Sequence, residues 1–322
     1  NGGKLIMTTF KNIKGFGIQY LASDPANPIE GQVWFNSASK ALKGHGVLGA
    51  GTWASGGNLN TGREGGTYFG IQTAGVAAGG DVSNPTEEYN GTSWTAGGNL
   101  PANGGQGAGA GLLTAGIVMN YQPGDTDAAS EYDGSSWTEI ANTNTGRTAG
   151  TGTGTQTQAL SICGAPGSSA VELWNGSSWT EKAEPNSPRG QGTAAGISTA
   201  ALIAGGVGGN PSTNPTETEN YNGTAWTEVN NLNTGRGYNQ GGGDYTNAIT
   251  FGGGPMPGVT AKTEKWNGTT WSEQNDMATA SETSFGTKAG AGDATYRART
   301  PNPSSATEEW TVPTTTATFT VS

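Results

Sequence analysis

The chain has 322 residues, of which 57 are glycine and 32% are hydrophobic, and its net charge is −10. Ten tryptophans and nine tyrosines are too many for a disordered chain, so an ordered, glycine-rich β-protein is the better interpretation. The acidic balance argues against a nucleic-acid partner, and the single cysteine excludes an internal disulfide framework. No apolar run reaches the roughly 18 residues of a membrane-spanning helix, so no membrane insertion is predicted.

The first predicted element is a β-hairpin in residues 20–44. Its sequence places two prolines before "GQVWFN" and continues into a lysine-bearing turn. Trp34 and Phe35 are neighbours on the predicted strand, so their side chains point to opposite faces. We therefore expect one of them to pack inside a small N-terminal module, residues 1–48, and the other to contact a partner protein.

A repeat follows over residues 49–310. Its marker is a tryptophan preceded five positions earlier by an aromatic residue, with Asn-Gly or Asp-Gly between the two. Successive markers are 41, 43, 42, 47 and 45 residues apart. They are Trp53, Trp94, Trp137, Trp179, Trp226 and Trp271. Asn-Gly is the turn chemistry of a hairpin, and two further strand-like runs stand upstream, so each repeat predicts the four short strands of a propeller blade.

The Asn-Gly turns also fit a second interpretation. Four of them read Asn-Gly-Ser/Thr, the acceptor pattern for N-glycosylation. In the remaining copy, Asp133 destroys the acceptor and preserves the turn. The structural interpretation, a hairpin turn, is therefore preferred.

Two charges recur at fixed positions in the repeat. An arginine stands ten residues after the marker tryptophan in four of six cases, and Gly104 and Ser281 take its place in the other two. A glutamate stands seven residues before the marker in four copies, with Glu131 displaced by one in another. One glutamate and one arginine per repeat predict ion pairs that fix the register of the blades. A ligand-binding ring of arginines is the alternative.

The two ends of the repeat region complement each other. Trp53 has the downstream half of a repeat without the upstream half, whereas Glu308–Trp310 has the upstream half alone. If the Trp53 strand pairs with the strand of Trp310, the termini close a ring of six blades. Residues 311–322 then form a Thr-rich strand or tail.

These motifs carry two resemblances. The repeat resembles that of kelch-type β-propellers, with a glycine doublet, an aromatic residue and a tryptophan in each blade. The doublets are Gly79-Gly80, Gly205-Gly206 and Gly252-Gly253, whereas "MNYQ" (Met119–Gln122) and "CGAP" (Cys163–Pro166) depart from the pattern. Residues 20–44 resemble the short module near the start of many phage virion proteins. Together the resemblances imply an all-β virion protein, with a small N-terminal β-hairpin module and a six-bladed kelch-like propeller closed by its N- and C-terminal strands.

The residues favour architecture over catalysis. His45, the sole histidine, has no partner at metal-ligand or triad spacing, and Cys163 is expected to be a small buried residue. Most glutamates occupy repeat positions, although two carboxylates suffice for glycoside hydrolysis and leave it open. A solvated turn is favoured over a calcium site at Asp125 and Asp127. We expect no enzyme activity, no cofactor and no metal.

The predicted function is that of a phage tail fibre or tail appendage, located in the virion, whose propeller binds a host-surface glycan or protein. A capsid or tail decoration protein without receptor function is one alternative, and a polysaccharide-degrading appendage is another. The expected partners are other virion proteins, contacted through one of Trp34 and Phe35, and further copies of the chain in a trimer. Ligand contacts are predicted in the loops where the repeats diverge. The candidates are Tyr121, Asp125, Asp127, Asn210 and Met256.

Overall fold

The computed structural model describes residues 18–26, 28, 32–47, 50–80, 83–121, 126–164, 168–208, 215–254, 258–281, 285–286, 294–298 and 305–319. Two compact units divide the chain. The first comprises Asn1–Gly51 and Val312–Ser322, and the second comprises Thr52–Thr311. Among the described residues, no helix is long and apolar enough to cross a membrane.

The first unit begins with three strands, β1 (Gln19–Leu21), β2 (Val33–Asn36) and β3 (Ala41–Val47). β2 and β3 form the predicted antiparallel hairpin, and β1 runs parallel to β2. Trp34 is fully buried, and its Nε1 donates a hydrogen bond to Asp24 at 3.0 Å. Phe35 lies on the opposite face of β2 and stacks on Tyr20, with 5.1 Å between the ring centroids. The predicted division of the two aromatics between opposite faces is confirmed.

The second unit begins with β4 (Thr52–Ser55) and continues with five four-stranded antiparallel sheets, one for each complete repeat. Blade one contains β5 (Thr67–Ile71), β6 (Ala74–Gly80), β7 (Ser83–Tyr89) and β8 (Trp94–Ala96). Blade two contains β9 (Ala108–Leu112), β10 (Ala115–Met119), β11 (Ala129–Tyr132) and β12 (Trp137–Glu139). Blade three contains β13 (Thr151–Thr155), β14 (Gln158–Gly164), β15 (Ser168–Trp174) and β16 (Trp179–Lys182).

Blade four contains β18 (Thr193–Ile197), β19 (Ala200–Ala204), β21 (Thr218–Tyr221) and β22 (Trp226–Val229). A short ribbon accompanies it, formed by β17 (Arg189–Gly190) and β20 (Val207–Gly208). Blade five contains β23 (Gln240–Asp244), β24 (Asn247–Phe251), β25 (Thr263–Trp266) and β26 (Trp271–Glu273).

The sixth blade joins the two ends of the repeat region. It contains β27 (Phe285–Gly286), β28 (Ala294–Ala298) and β29 (Thr307–Thr311), and β4 is its fourth strand. β4 pairs antiparallel with β29 and places Trp53 opposite Trp310. The predicted closure of six blades is therefore confirmed. The last strand, β30 (Thr314–Phe319), pairs with β3, so the Thr-rich end belongs to the sheet of the first unit.

The marker tryptophans tie each blade to the one before it. Trp94 Nε1 of blade one donates a hydrogen bond to Thr307 Oγ1 of blade six at 3.0 Å. Trp53 makes the equivalent bond from blade six to Thr263 of blade five at 2.9 Å. A large side chain that is anchored at its polar atom fills the wide space between two sheets. The structural role predicted for these tryptophans agrees with this geometry.

Small residues fill the innermost strands because these strands almost touch. A Cβ atom built on Gly109 would lie 2.6 Å from the Tyr68 carbonyl oxygen of blade one. A Cβ atom on Gly152 would lie 2.8 Å from the Gly109 carbonyl oxygen. These approaches leave no room for a side chain, which explains the Gly, Ala and Thr content of the inner strands.

The repeated Asn-Gly segments form the turns between the two outer strands. Asn90 Oδ1 accepts hydrogen bonds from the backbone N–H groups of Thr92 and Ser93, each at 2.9 Å. Asp133 makes the same turn in blade two, and hydrogen bonds led by the backbone N–H of Ser136 lower the pKa of Asp133 to about 2. The hairpin-turn interpretation of this motif is confirmed.

The two departures from the glycine doublet keep the backbone conformation of its first residue. Asn120 and Cys163 occupy the place of Gly79, and their φ angles are 56° and 53° against 63° for the glycine. Cys163 is fully buried, as expected, and burial raises the pKa of its thiol to about 11. The left-handed conformation of the first position therefore persists where the doublet is lost, whereas Tyr121, at the second position in blade two, lacks the positive φ angle of Gly80 and Gly164.

Candidate functional site

Buried ion pairs join neighbouring blades through the two recurring charges. Arg147 Nη1, in the loop that leaves blade two, lies 2.7 Å from Glu172 Oε1 on β15 of blade three, and both side chains are fully buried. The carboxylate also accepts hydrogen bonds from the backbone N–H groups of Asn144 at 2.6 Å and Thr145 at 3.2 Å. The same arrangement recurs in Arg63–Glu87, Arg189–Glu219 and Arg236–Glu264. These arginines are structural, as the preferred interpretation of the sequence predicts.

Blade two replaces this ion pair with a tyrosine. Gly104 stands at the arginine position, and Ser130 stands at the glutamate position. Tyr121 takes up the space, since its hydroxyl lies 3.0 Å from Ser130 Oγ and a Cβ atom on Gly104 would lie 2.7 Å from the Tyr121 ring. Glu131 is not a displaced member of the glutamate series, because it accepts a hydrogen bond from Trp174 Nε1 at 2.9 Å. That part of the predicted register is wrong.

A cavity lies at the centre of the propeller, on the face where each outer strand connects to the inner strand of the next blade. Its volume, measured as the space that the centres of water molecules can occupy, is about 60 Å³, so it has room for several water molecules. Five successive blades or their entry loops contribute to its lining. The larger side chains among the described lining are Glu64, Tyr68, Gln106, Gln191, Tyr238 and Gln240.

A ring of left-handed backbone conformations borders this cavity. The residue two places after the arginine position has a φ angle between 52° and 66° in five blade junctions. These residues are Gly65, Gln106, Ala149, Gln191 and Tyr238. Hydrogen bonds link the first four of these residues in turn. They run from Ala149 N to Gln106 O at 2.9 Å and from Gln191 N to Ala149 O at 2.8 Å, and Gln106 N donates to Gly65 O. The backbone groups of these four residues thus serve blade packing, and all five residues line the cavity.

The described cavity lining is polar and almost uncharged. Glu64 is its one charged residue among those that the structure describes. Within the same described part of the chain, the side-chain amides of Gln106 and Gln191 and the hydroxyl of Tyr238 have no hydrogen-bond partner in the protein. Amides offer both donors and acceptors, and tyrosine adds a ring face and a hydroxyl. This arrangement can hold a small polar ligand by hydrogen bonds and stacking.

The described residues contain no group of three or more His, Cys, Asp or Glu side chains that would suit a metal ion.

No protein-family model matches the sequence, and none of the curated proteins matches it. Among solved structures, the one described as "Structure of YjhT" aligns with a TM-score of 0.64 at 10% sequence identity. The alignment covers 81% of this chain and 99% of the YjhT chain. YjhT is a kelch-repeat β-propeller protein.

This chain has a kelch-like β-propeller fold. The likeness to YjhT concerns the fold alone, because 10% identity carries no correspondence between site residues.

The structure describes two of the five residues predicted to bind a ligand. Tyr121 is only 1% exposed. The prediction of an exposed aromatic there is wrong, because the ring fills the place of an ion pair. Asp127 is half-buried, and its carbonyl accepts the backbone N–H of Thr143 at 2.9 Å. Asp125, Asn210 and Met256 lie outside the described residues.

The side chains that border the central cavity are absent from the sequence-based predictions. Gln106, Gln191 and Tyr238 come from three different repeats, so no local motif unites them. A signal is nevertheless present. Each stands two residues after the arginine position and two residues before an inner strand, at a place where blade one has Gly65. A register position that holds glycine in one repeat, alanine in another and large polar residues in three indicates a glycine-favouring backbone with selected side chains.

Proposed function

We propose that this chain is a virion structural protein of a phage, a tail fibre or tail appendage whose propeller binds the host cell surface. The observation that carries the proposal is the central cavity with its polar, nearly uncharged rim. Antiparallel blades hold such a rim in place, since each rim residue stands two residues before an inner strand. The phage assignment comes from the resemblance of residues 20–44 to virion modules.

The path of the chain supports a binding domain carried on an anchor. The propeller sequence lies between β3 and β30, which are neighbours in one sheet, with Val47 opposite Thr314. A domain inserted between adjacent strands of a small module is held by the module at both of its ends. This topology suits a chain in which the first unit attaches to the virion and the propeller binds the host surface.

The first unit offers a surface for other virion proteins. Tyr20 and Ile18 are 74% and 54% exposed, and Tyr20 stacks on Phe35. Trp34, on the opposite face, is buried and supports the module itself. Exposed aromatic rings are typical of interaction surfaces. We assign partner binding in the virion to the face of Phe35, with further copies of the chain in a trimer among the partners.

The proposed protein acts by binding and without catalysis. Purified full chain incubated with host polysaccharide is expected to release no reducing sugar. Release of reducing sugar that stops when a carboxylate is neutralised would instead establish a polysaccharide-degrading appendage.

The test of the virion role is immunogold electron microscopy. Antibodies raised against the purified full chain would be applied to virions concentrated from the source of the chain, with pre-immune serum as the control. Labelled tails are the expected result. Labelled capsids would replace the receptor-binding role with that of a decoration protein, and unlabelled particles would refute the virion assignment.

A further inference from the structure

We infer that the central cavity binds one uncharged sugar unit, held by Gln106, Gln191 and Tyr238. This inference rests on the proposed function and names the ligand class of its binding site. It starts from a conflict between the backbone and the side chains at these three positions.

The conflict is that large side chains stand where the backbone favours glycine. Gln106, Gln191 and Tyr238 have φ angles of 55°, 52° and 57°. Residues with a Cβ atom adopt this left-handed region at a cost in free energy. Gly65 shows that glycine serves at the equivalent position in blade one, where its carbonyl accepts the same kind of hydrogen bond between blades. The blades therefore do not need these side chains for packing. Strain of this kind tends to persist where a side chain has a function.

The chemistry of the rim matches a sugar. Each hydroxyl of a sugar donates and accepts hydrogen bonds, and the amides of Gln106 and Gln191 offer both functions. The ring of Tyr238 supplies a flat apolar surface for the C–H face of a pyranose. The cavity is open on one side and has room for several water molecules, so it admits one edge of a sugar unit, whose hydroxyls take the places of those waters.

The charge at the cavity favours an uncharged ligand over an acidic one. Glu64 is the single charged residue of the described lining, and the chain as a whole carries a net charge of −10. A carboxylate ligand would meet repulsion without an arginine or lysine of the described lining to offset it. We therefore expect neutral hexoses or N-acetylhexosamines to bind and uronic acids to be rejected.

Saturation-transfer NMR on the full chain tests this inference. The probes are the methyl glycosides of glucose, galactose, mannose, N-acetylglucosamine and glucuronic acid, each at about 10 mM to detect affinities near the millimolar range. At least one neutral glycoside should bind, and the glucuronide should bind more weakly than the neutral ones. Failure of every neutral glycoside to bind, or tighter binding of the glucuronide, would overturn the inference.

Glycine substitutions locate the binding and control for folding. Gln106→Gly and Gln191→Gly should each weaken the affinity about tenfold, since each removes hydrogen bonds to the sugar. Lys40→Gly is the matched control, because Lys40 also has a left-handed backbone, with a φ angle of 52°, and is absent from the described cavity lining. Its affinity should equal that of the parent chain. Unchanged affinity in both glutamine variants would place the sugar elsewhere and refute the site.

The failure of this inference is distinguishable from the failure of the proposed function. If the full chain binds host cells and the two glutamine variants bind them equally well, the cavity is not the site and the host-binding role survives. If the chain binds neutral glycosides in the cavity but no virions carry it, the sugar site stands and the virion role fails.

Discussion

The ion pair between Arg147 and Glu172 gives the sharpest test of how the blades are held together. Arg147→Met would leave the fully buried Glu172 carboxylate with two backbone N–H donors and no counter-charge. Removing one partner of a buried pair costs about 3–5 kcal/mol, because the remaining charge stays desolvated. For a domain of this size, a loss of that order lowers the Tm by about 10 °C. Calorimetry and urea unfolding followed by tryptophan fluorescence would measure both quantities.

Two further variants control this experiment. The double variant Arg147→Met/Glu172→Gln removes both charges and should recover much of the lost stability. Lys262→Met breaks the exposed pair with Glu273, whose side chains are 39% and 46% exposed, and should cost less than about 1 kcal/mol. If Arg147→Met costs no more than Lys262→Met, the buried pairs do not stabilise the blade junctions.

The remaining predictions concern closure, pH and backbone strain. Trp53→Ala should cost about 2–3 kcal/mol in calorimetry because it removes the half-buried closing tryptophan of blade six, and an unchanged Tm would contradict the closure. Hydrogen bonds led by that from Lys43 lower the pKa of Asp24 from 3.8 to about 2, so the stability that Asp24 contributes above pH 4 should disappear between about pH 4 and 2 in acid titrations, and Asp24→Asn should lack this loss. Burial raises the pKa of Tyr89 from 10.0 to about 12, so its contribution should be complete below pH 10 and disappear as the pH rises to about 12, a loss that alkaline melting curves of Tyr89→Phe should not show. Ala149→Gly should raise the free energy of unfolding by about 0.5–1 kcal/mol by relieving a positive φ angle, and urea titration would reveal a destabilisation if this is incorrect.

The sequence predicts the blades well because the repeat is a local pattern. A marker tryptophan, its upstream aromatic and the turn between them form one hairpin, so their spacing is visible without tertiary information. The recurring arginine and glutamate belong to different blades, yet their fixed register still indicates a pair. The closure of Trp53 on Trp310 follows from counting, since each end has the half-repeat that the other lacks.

The substitution of an ion pair by other residues in one repeat is harder to predict from the sequence. At the blade-two junction Gly104, Tyr121 and Ser130 replace an arginine and a glutamate, and only their three-dimensional proximity shows that they form one substitution. The sequence suggested Glu131 as the missing glutamate because it is the nearest carboxylate along the chain. It also suggested that Tyr121 is exposed because the residue stands in a divergent loop. Both errors arise because position along the chain does not show which residues are close together in the folded protein.

The central cavity is harder still, because it has no local sequence motif. Its rim combines single residues from five blade junctions that lie more than 30 residues apart along the chain. Gln191 and Tyr238 look like ordinary loop residues until their backbone conformations are known. A large residue at a position whose backbone conformation favours glycine indicates a functional side chain. Such a position is recognised only from its φ angle, which the sequence does not give.

Competition for adsorption tests most directly the claim that the propeller binds the host surface. Host cells would be incubated with purified full chain at about ten times its dissociation constant before virions are added. If chain and virion use the same receptor, about nine-tenths of the receptors are occupied, so the adsorption rate should fall about tenfold. An adsorption rate that is unchanged at this concentration would contradict the account.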